Sequence, residues 1–413
     1  MERARSRRLI LAAAVLGLVL RLAFGFLYWT GKPLTHDERE YLVLAQSLAE
    51  GRGLTYPESH EVGTGQQFGR APGYPAFLSL LGVSADRASA PARIKAVQAV
   101  LGAVVVLMIG VLAARAWDPA AGVVAAFLAA AYPPLVWISA YVLSEALYMV
   151  LAFACVLLLG AACARAQEEQ STRGGGALVV AAGLLAGIAI LVRPGMLFFL
   201  PLVALWFVRR RQWSLALAFC VAAAVIVAPW TLRNARTYGK LVLVASEGGV
   251  TFWTGNHPLA RGEGDLAANP DIKHAEIAFR AQHAGLTAEE LEPIYYRDAI
   301  GHILANPGWW LGLVMKKAFY TFVPMGPSYT LHSTRYLLAS VIPYLLLAPV
   351  AVVGLSRLLR RRSAATPLLL LALSVVMTSL IFFPQERFRI PVIDPTVIVC
   401  ASGVLAARAR RTR

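Results

Sequence analysis

Two acids, Asp37 and Glu38, stand just beyond the first long apolar run, and Arg70 follows them shortly before the turn Pro72-Gly73-Tyr74-Pro75. A carboxylate held just outside a bilayer can take a proton from a hydroxyl or bind a cation. A guanidinium beside a Pro-Gly turn suits a phosphate, which it pairs in bidentate fashion. Further on, Ser144-Glu145 heads another apolar run, Arg233-Asn234 closes a third, and Arg387-Phe388-Arg389 fill a brief turn between the last two. Acids and arginines gathered at one water-lipid boundary describe group transfer from a phospholipid-linked donor. The acid deprotonates the attacking hydroxyl while the arginines hold the anionic headgroup.

The elements that position these residues are membrane helices. Of 413 residues, 58% are hydrophobic and 15% charged, and the mean hydropathy is +0.61, far above ordinary soluble domains. The chain is read as an all-α polytopic membrane protein, one transmembrane domain over 1–413, with about ten spans (eight to twelve). Expected spans run from Leu9 to Trp29, Ile94 to Ala114, on to Trp137, Ser144 to Ala164, then two short helices within Ala177–Val208 parted at Arg193-Pro194. They continue with Ser214–Leu232, Tyr336–Leu355, Pro367–Phe383 and Val392–Ala407. Proline inside an apolar run removes a backbone donor, and arginine is costly in lipid, so Arg193 belongs at a surface.

The formal charge of +16 arises from arginine clusters between the runs. These are topology signals rather than a nucleic-acid footprint, and they keep both termini cytoplasmic. Two long loops, 30–93 and 233–335, then face the outer side of the membrane. The abundance of arginine over lysine, with much alanine, reads as a high-GC bacterium, so the membrane is taken as a bacterial cytoplasmic one. Within the first loop, Glu38, Tyr41, Leu42, Ala45 and Leu48 recur at helical spacing and predict a surface helix ended by Gly51 and Gly53. Pro72–Val83 predicts a second, and Arg165–Gly176 a solvated cytoplasmic linker. Trp309–Val323 contains Lys316 and Lys317; spanning there would force the arginines at 357–362 outside, so a surface or re-entrant helix is expected.

Plainer roles compete at each position. Asp37 suits the cap of the surface helix, which begins right after it, where a carboxylate is stabilising without any chemistry, and Glu38 suits the first turn. Glu145 suits the head of an apolar helix, Arg193 a topology anchor, and the tryptophans an interfacial belt. His36 lacks a second histidine at ligand spacing, and the four cysteines lie in apolar runs without metal-ligand spacing.

Asp37-Glu38, with Tyr41, Ala45, Gly51, Gly53 and the Arg70-x-Pro72-Gly73-Tyr74-Pro75 turn, resembles the C-type membrane glycosyltransferases. The similar branch holds protein O-mannosyltransferases and the lipid A aminoarabinose transferase. Ser144-Glu145, Pro229-Trp230 with Arg233-Asn234, Gly248-Gly249 through Gly255-Asn256, and Arg387-Phe388-Arg389 with Pro391 extend the resemblance over most of the chain. It implies a polyprenyl-phosphate sugar donor, an acceptor glycan, lipid or protein, and inverting displacement at the anomeric carbon. Asp37 would be the general base, with Glu38 beside it and Glu145 as a second acid arranging the site or a bound cation. Arg70, Arg233, Arg387 and Arg389 would hold the lipid phosphate, and Tyr74 and Asn256 would belong to substrate loops. No metal ligand set is assigned, and a divalent cation is left open. A transporter or flippase, or a saccharide polymerase or ligase, is the competing class, although transporters place polar residues at the midplane and show two similar halves.

Overall fold

The computed structural model describes residues 2–56, 69–82, 88–168, 173–264, 266–324, 326, 333–360 and 365–411. Its elements are helical, with a lone bridge between Pro33 and Ser89. In chain order they are α1 (Glu2–Ala23, continued by a π turn Phe24–Tyr28), α2 (His36–Ala49), α3 (Gly73–Ser79), α4 (Ala92–Ala116), α5 (Pro119–Ala131) and α6 (Pro133–Trp137). There follow α7 (Glu145–Glu168), α8 (Arg173–Val192), a 3-10 turn Pro194–Phe198, α9 (Phe199–Arg209), α10 (Trp213–Tyr238), α11 (Gly248–Asn256) and α12 (Pro270–Gln282). The remainder is α13 (Ala288–Ala305), α14 (Pro307–Phe322), α15 (Thr334–Leu359), α16 (Thr366–Ile381), α17 (Glu386–Arg389) and α18 (Ile393–Arg411).

Among the described residues, six helices are long and apolar enough to cross a membrane: α1, α4, α7, α8, α10 and α15. The expected third span is broken. α5 and α6 meet at a 62° bend, because Pro133 and Pro134 cannot continue the hydrogen-bond ladder from α5; counted as one span they make seven. Pro194–Arg209 and α16 are apolar but shorter, so the expected ten is not reached by length and hydropathy alone. The linker expected at Arg165–Gly176 is partly helix, since α7 runs on to Glu168 and α8 starts at Arg173. α3 is shorter than expected, and 83–87 lie outside the described residues, as do 57–68.

α7 packs on α8 and α8 on α10, while α1, α4, α5, α15 and α18 form the neighbouring group, joined to the first through α4 and α7. Lipid gives helices no hydrophobic reason to associate, so close backbone approach matters. An added Cβ at Gly187 of α8 would lie 2.7 Å from the Ala223 carbonyl of α10. The ends of the helices opposite the two long loops carry Arg115, Arg165, Arg209 to Arg211 and Arg357.

The second loop is bolted to the bundle at a buried lysine. Lys317 of α14 is fully buried and donates to Asn256 Oδ1 at 2.9 Å and to the Leu380 and Ile381 carbonyls at 3.3 and 3.5 Å. It thus caps the carboxyl end of α16 with a cation, the favourable sign for a helix C-terminus. Burial pulls the Lys317 ammonium down to about 7. An unfolded lysine keeps its proton to about 10.4, so between pH 7 and 10 the unfolded chain binds more protons and stability rises with pH. The wild-type melting temperature should therefore climb from pH 7 to 9.5 relative to Lys317→Met; parallel curves for the two proteins would refute this.

Candidate active site

The first loop is shaped by its own caps. Thr35 accepts from the Glu38 amide, and Glu38 Oε2 takes the Thr35 amide at 2.8 Å, a reciprocal capping box that starts α2. Glu38 Oε1 accepts from the Val142 amide, also at 2.8 Å, fastening α2 to the segment that leads into α7. Asp37 and Glu40, three residues apart, project along one side of α2. α3 then brings Arg70 to that side. A Cβ at Gly73 would stand 2.8 Å from the Leu191 carbonyl, so only glycine lets α3 seat on the end of α8, next to Arg193. Tyr74 hydrogen-bonds Gln98 at 3.0 Å, and Gln98 holds the Ser139 and Tyr141 carbonyls at 3.2 and 2.5 Å.

Asp37 lies between two guanidiniums. Oδ1 accepts from Arg70 Nη2 at 2.6 Å, and Oδ2 pairs with Arg387 Nη1 from α17. Arg70 Nε also donates to Glu40 at 2.8 Å and pairs with Glu247 at 3.2 Å. Burial works to raise the Asp37 carboxyl, but Arg387 and Arg70 outweigh it and hold the group well below the usual carboxylate range. Burial raises Glu247 above its ordinary value against the pull of Arg70. Among the described residues, Arg70 Nη1 and Arg387 Nη2 make no hydrogen bond, since Arg387 Nε goes to Gln385 at 2.9 Å.

A second pair stands beside the first. Glu145 opens α7, 2% exposed, with Oε1 2.6 Å from Arg193 Nη1, while its Oε2 has no partner. Arg193 lies over the rings of Tyr148 and Phe388 at 5.7 and 5.2 Å, and Arg387 lies over Phe388 at 5.3 Å. One ring therefore spaces two guanidiniums without neutralising either.

Arg70, Arg387, Glu247, Glu145 and Arg193 line a cavity of about 910 Å³, and Asp37 and Glu40 meet it through the arginines they hold. Arg70, Arg193, Arg387 and Glu145 supply its charged lining. Leu197, Phe198, Leu241, Leu243, Val375 and Phe382 make the walls largely apolar, and Glu247, Glu289, Glu292 and Tyr296 contribute a polar side from the second loop. Burial pushes the Glu292 carboxyl up to about 7 against the Gly249 and Gly248 amides. Such a chamber suits an amphiphile with an anionic head and an apolar tail.

The structure brings Asp37, Arg70, Arg387 and Glu145 together and sets the other sequence candidates elsewhere. Glu38 has both oxygens engaged in the capping box and the Val142 contact, so it positions α2. Arg233 lies over Trp230 and Tyr238 and bonds Asn234. Arg389 is buried against Asp394 at 2.8 Å and the Tyr344 ring. Tyr74 is the strut to Gln98, and Asn256 is the bolt that meets Lys317 and Trp310. None of these five lines the cavity. Arg193 and Glu247 line it instead, and Glu40 joins the site through its pair with Arg70. Glu40 was legible as the residue one helical turn after Asp37; Glu247 arrives from 210 positions away by the fold alone.

A metal centre does not fit these residues as they stand. Among those described, no three His, Cys, Asp or Glu side chains are placed to hold an ion. The carboxylates that converge on the site already converge on guanidiniums.

This arrangement of helices is the fold of the C-type membrane glycosyltransferases. The Archaeoglobus fulgidus oligosaccharyltransferase, solved with Zn and sulfate, superposes with a TM-score of 0.59 at 16% identity, over 97% of this chain and 49% of that one. The archaeal oligosaccharyltransferase AglB from the same organism, solved with an inhibitory peptide and a dolichol-phosphate, gives 0.58 at 15% identity, over 97% and 50%. ArnT from Cupriavidus metallidurans, bound to undecaprenyl phosphate, gives 0.41 at 14%, over 96% and 78%. The chain spans about half the length of the oligosaccharyltransferases it matches. No protein-family model and no curated protein sequence matches it.

Proposed function

We propose that this protein moves a sugar from a polyprenyl-phosphate-linked donor to an acceptor hydroxyl at the outer face of a bacterial cytoplasmic membrane. The observation that carries this reading is Asp37 held between Arg70 and Arg387, two guanidiniums that line a cavity whose remaining walls are mostly apolar. A similar fold binds a dolichol-phosphate in the archaeal oligosaccharyltransferase.

The donor phosphate would lie against Arg387 and Arg193, with the isoprenoid along Phe198, Leu241 and Phe382. The acceptor oxygen attacks the anomeric carbon, the bond from that carbon to the phosphate oxygen breaks, and the hydroxyl proton passes to Asp37. Polyprenyl phosphate leaves with both bonding electrons, its charge met by the arginines. Donor binding also prepares the base: a phosphate that draws Arg387 away removes one of the two cations depressing Asp37, so the carboxylate becomes more basic when a substrate is present. Glu145 acts through Arg193, which it orients.

The test is purified protein in vesicles with polyprenyl-phosphate sugars as donors. Release of polyprenyl phosphate that requires an acceptor supports transfer, and movement of the intact donor across the bilayer without release rejects it.

A further inference from the structure

We propose that Arg70 is the built-in cation of this site, neutralising Asp37, Glu40 and Glu247 so that these acids, which as they stand are not placed to hold an ion, need no divalent metal. The three carboxylates come from two segments far apart in the chain, α2 and the residue preceding α11, and all three meet one side chain. The guanidinium is 16% exposed, and the acids are 19%, 5% and 38% exposed. Three acids so placed repel one another strongly unless a cation lies between them. Tyr56 adds a hydrogen bond to Glu40 at 3.3 Å, and Arg387 closes the far side of Asp37. The geometry of the centre also favours arginine. A planar fork with several N–H edges reaches three carboxylates at once, and the charge cannot be titrated away.

The consequence is chemical. A metal would draw carboxylate oxygens into its own coordination shell, whereas a guanidinium leaves Asp37 a hydrogen-bonded base that a substrate can release. This deepens the sugar-transfer reading of the same site, but its test is metal binding and stands whether or not that reading survives.

The test uses the full chain in detergent with Mn²⁺ alone as the probe, followed by electron paramagnetic resonance, with melting temperature as a second readout. Wild type should show no bound Mn²⁺ up to 1 mM and no change in melting temperature with Mn²⁺ or a chelator. Arg70→Ala should bind one Mn²⁺ below about 1 mM and regain melting temperature on its addition. Arg70→Ala/Glu40→Gln should bind at least tenfold more weakly. Wild type that binds Mn²⁺ below 1 mM and loses it in Asp37→Asn overturns the proposal. So does a folded Arg70→Ala that binds none. Should Arg70→Ala not fold, Arg70→Lys replaces it, with no Mn²⁺ binding expected and binding like that of a free carboxylate cluster overturning the claim.

Discussion

Asp37→Asn should lower acceptor-dependent release of polyprenyl phosphate by about 10²- to 10⁴-fold, the range for loss of a positioned general base, while leaving the protein folded. The amide keeps the size of the carboxylate and still offers one acceptor oxygen to a guanidinium. It has no anionic oxygen to take the proton, and its NH₂ points donors at donors. The loss should appear in kcat rather than in donor affinity, because Arg193 and Arg387 retain their cationic edges. If they hold the phosphate more freely once Asp37 is neutral, KM for the donor falls. The pH behaviour follows from the depressed carboxyl. A group whose folded value lies below its unfolded one contributes stability that is complete above about pH 4 to 5 and is lost only as pH falls through the folded value. Asp37 therefore adds no acid limb to wild-type stability between pH 8 and 5. A variant retaining more than a tenth of wild-type turnover would remove Asp37 from the base role.

Arg193→Met should be the most destabilising change at the site, costing about 3–5 kcal/mol, the range for stripping the partner from a buried ion pair. Glu145 is 2% exposed and one of its oxygens already lacks a partner, so loss of Arg193 strips the buried charge of its ion-pair partner. Replacing both members by apolar residues, Arg193→Met with Glu145→Leu, should return stability to within about 1–2 kcal/mol of wild type without returning transfer. Unfolding in urea and donor turnover separate the two effects. If the single variant is as stable as wild type and equally active, Arg193 is the surface anchor that its position beside Pro194 also allows.

How much of this was legible in the chain depends on range. Local rules placed α2 within a residue or two, since the helical spacing begins at Glu38 and Gly51 is a stop, although the cap is Thr35 and Asp37 lies inside the first turn; they also split the Ala177–Val208 run at Arg193. The pairing of Asp37 with Arg70 was expected only through the resemblance; the contact itself requires α3 to seat on α8 through Gly73. Arg389, Arg233 and Asn256 were drawn into the candidate list by motif neighbourhood. Position in a motif does not say which way a side chain points: Arg387 and Arg389, two residues apart on one turn, face Asp37 and Asp394 respectively. Glu247 and the buried role of Lys317 had no local signal, because each is defined by a partner tens to hundreds of residues away.

The most direct measurement is a structure of the protein with a non-transferable polyprenyl-phosphate sugar analogue in a lipid disc. The account predicts the phosphate within hydrogen-bonding distance of Arg387 and Arg193, the anomeric carbon facing Asp37, and the Asp37–Arg387 pair opened. A phosphate seated at Arg233 or outside the cavity, with Asp37 still closed between both arginines, would contradict it.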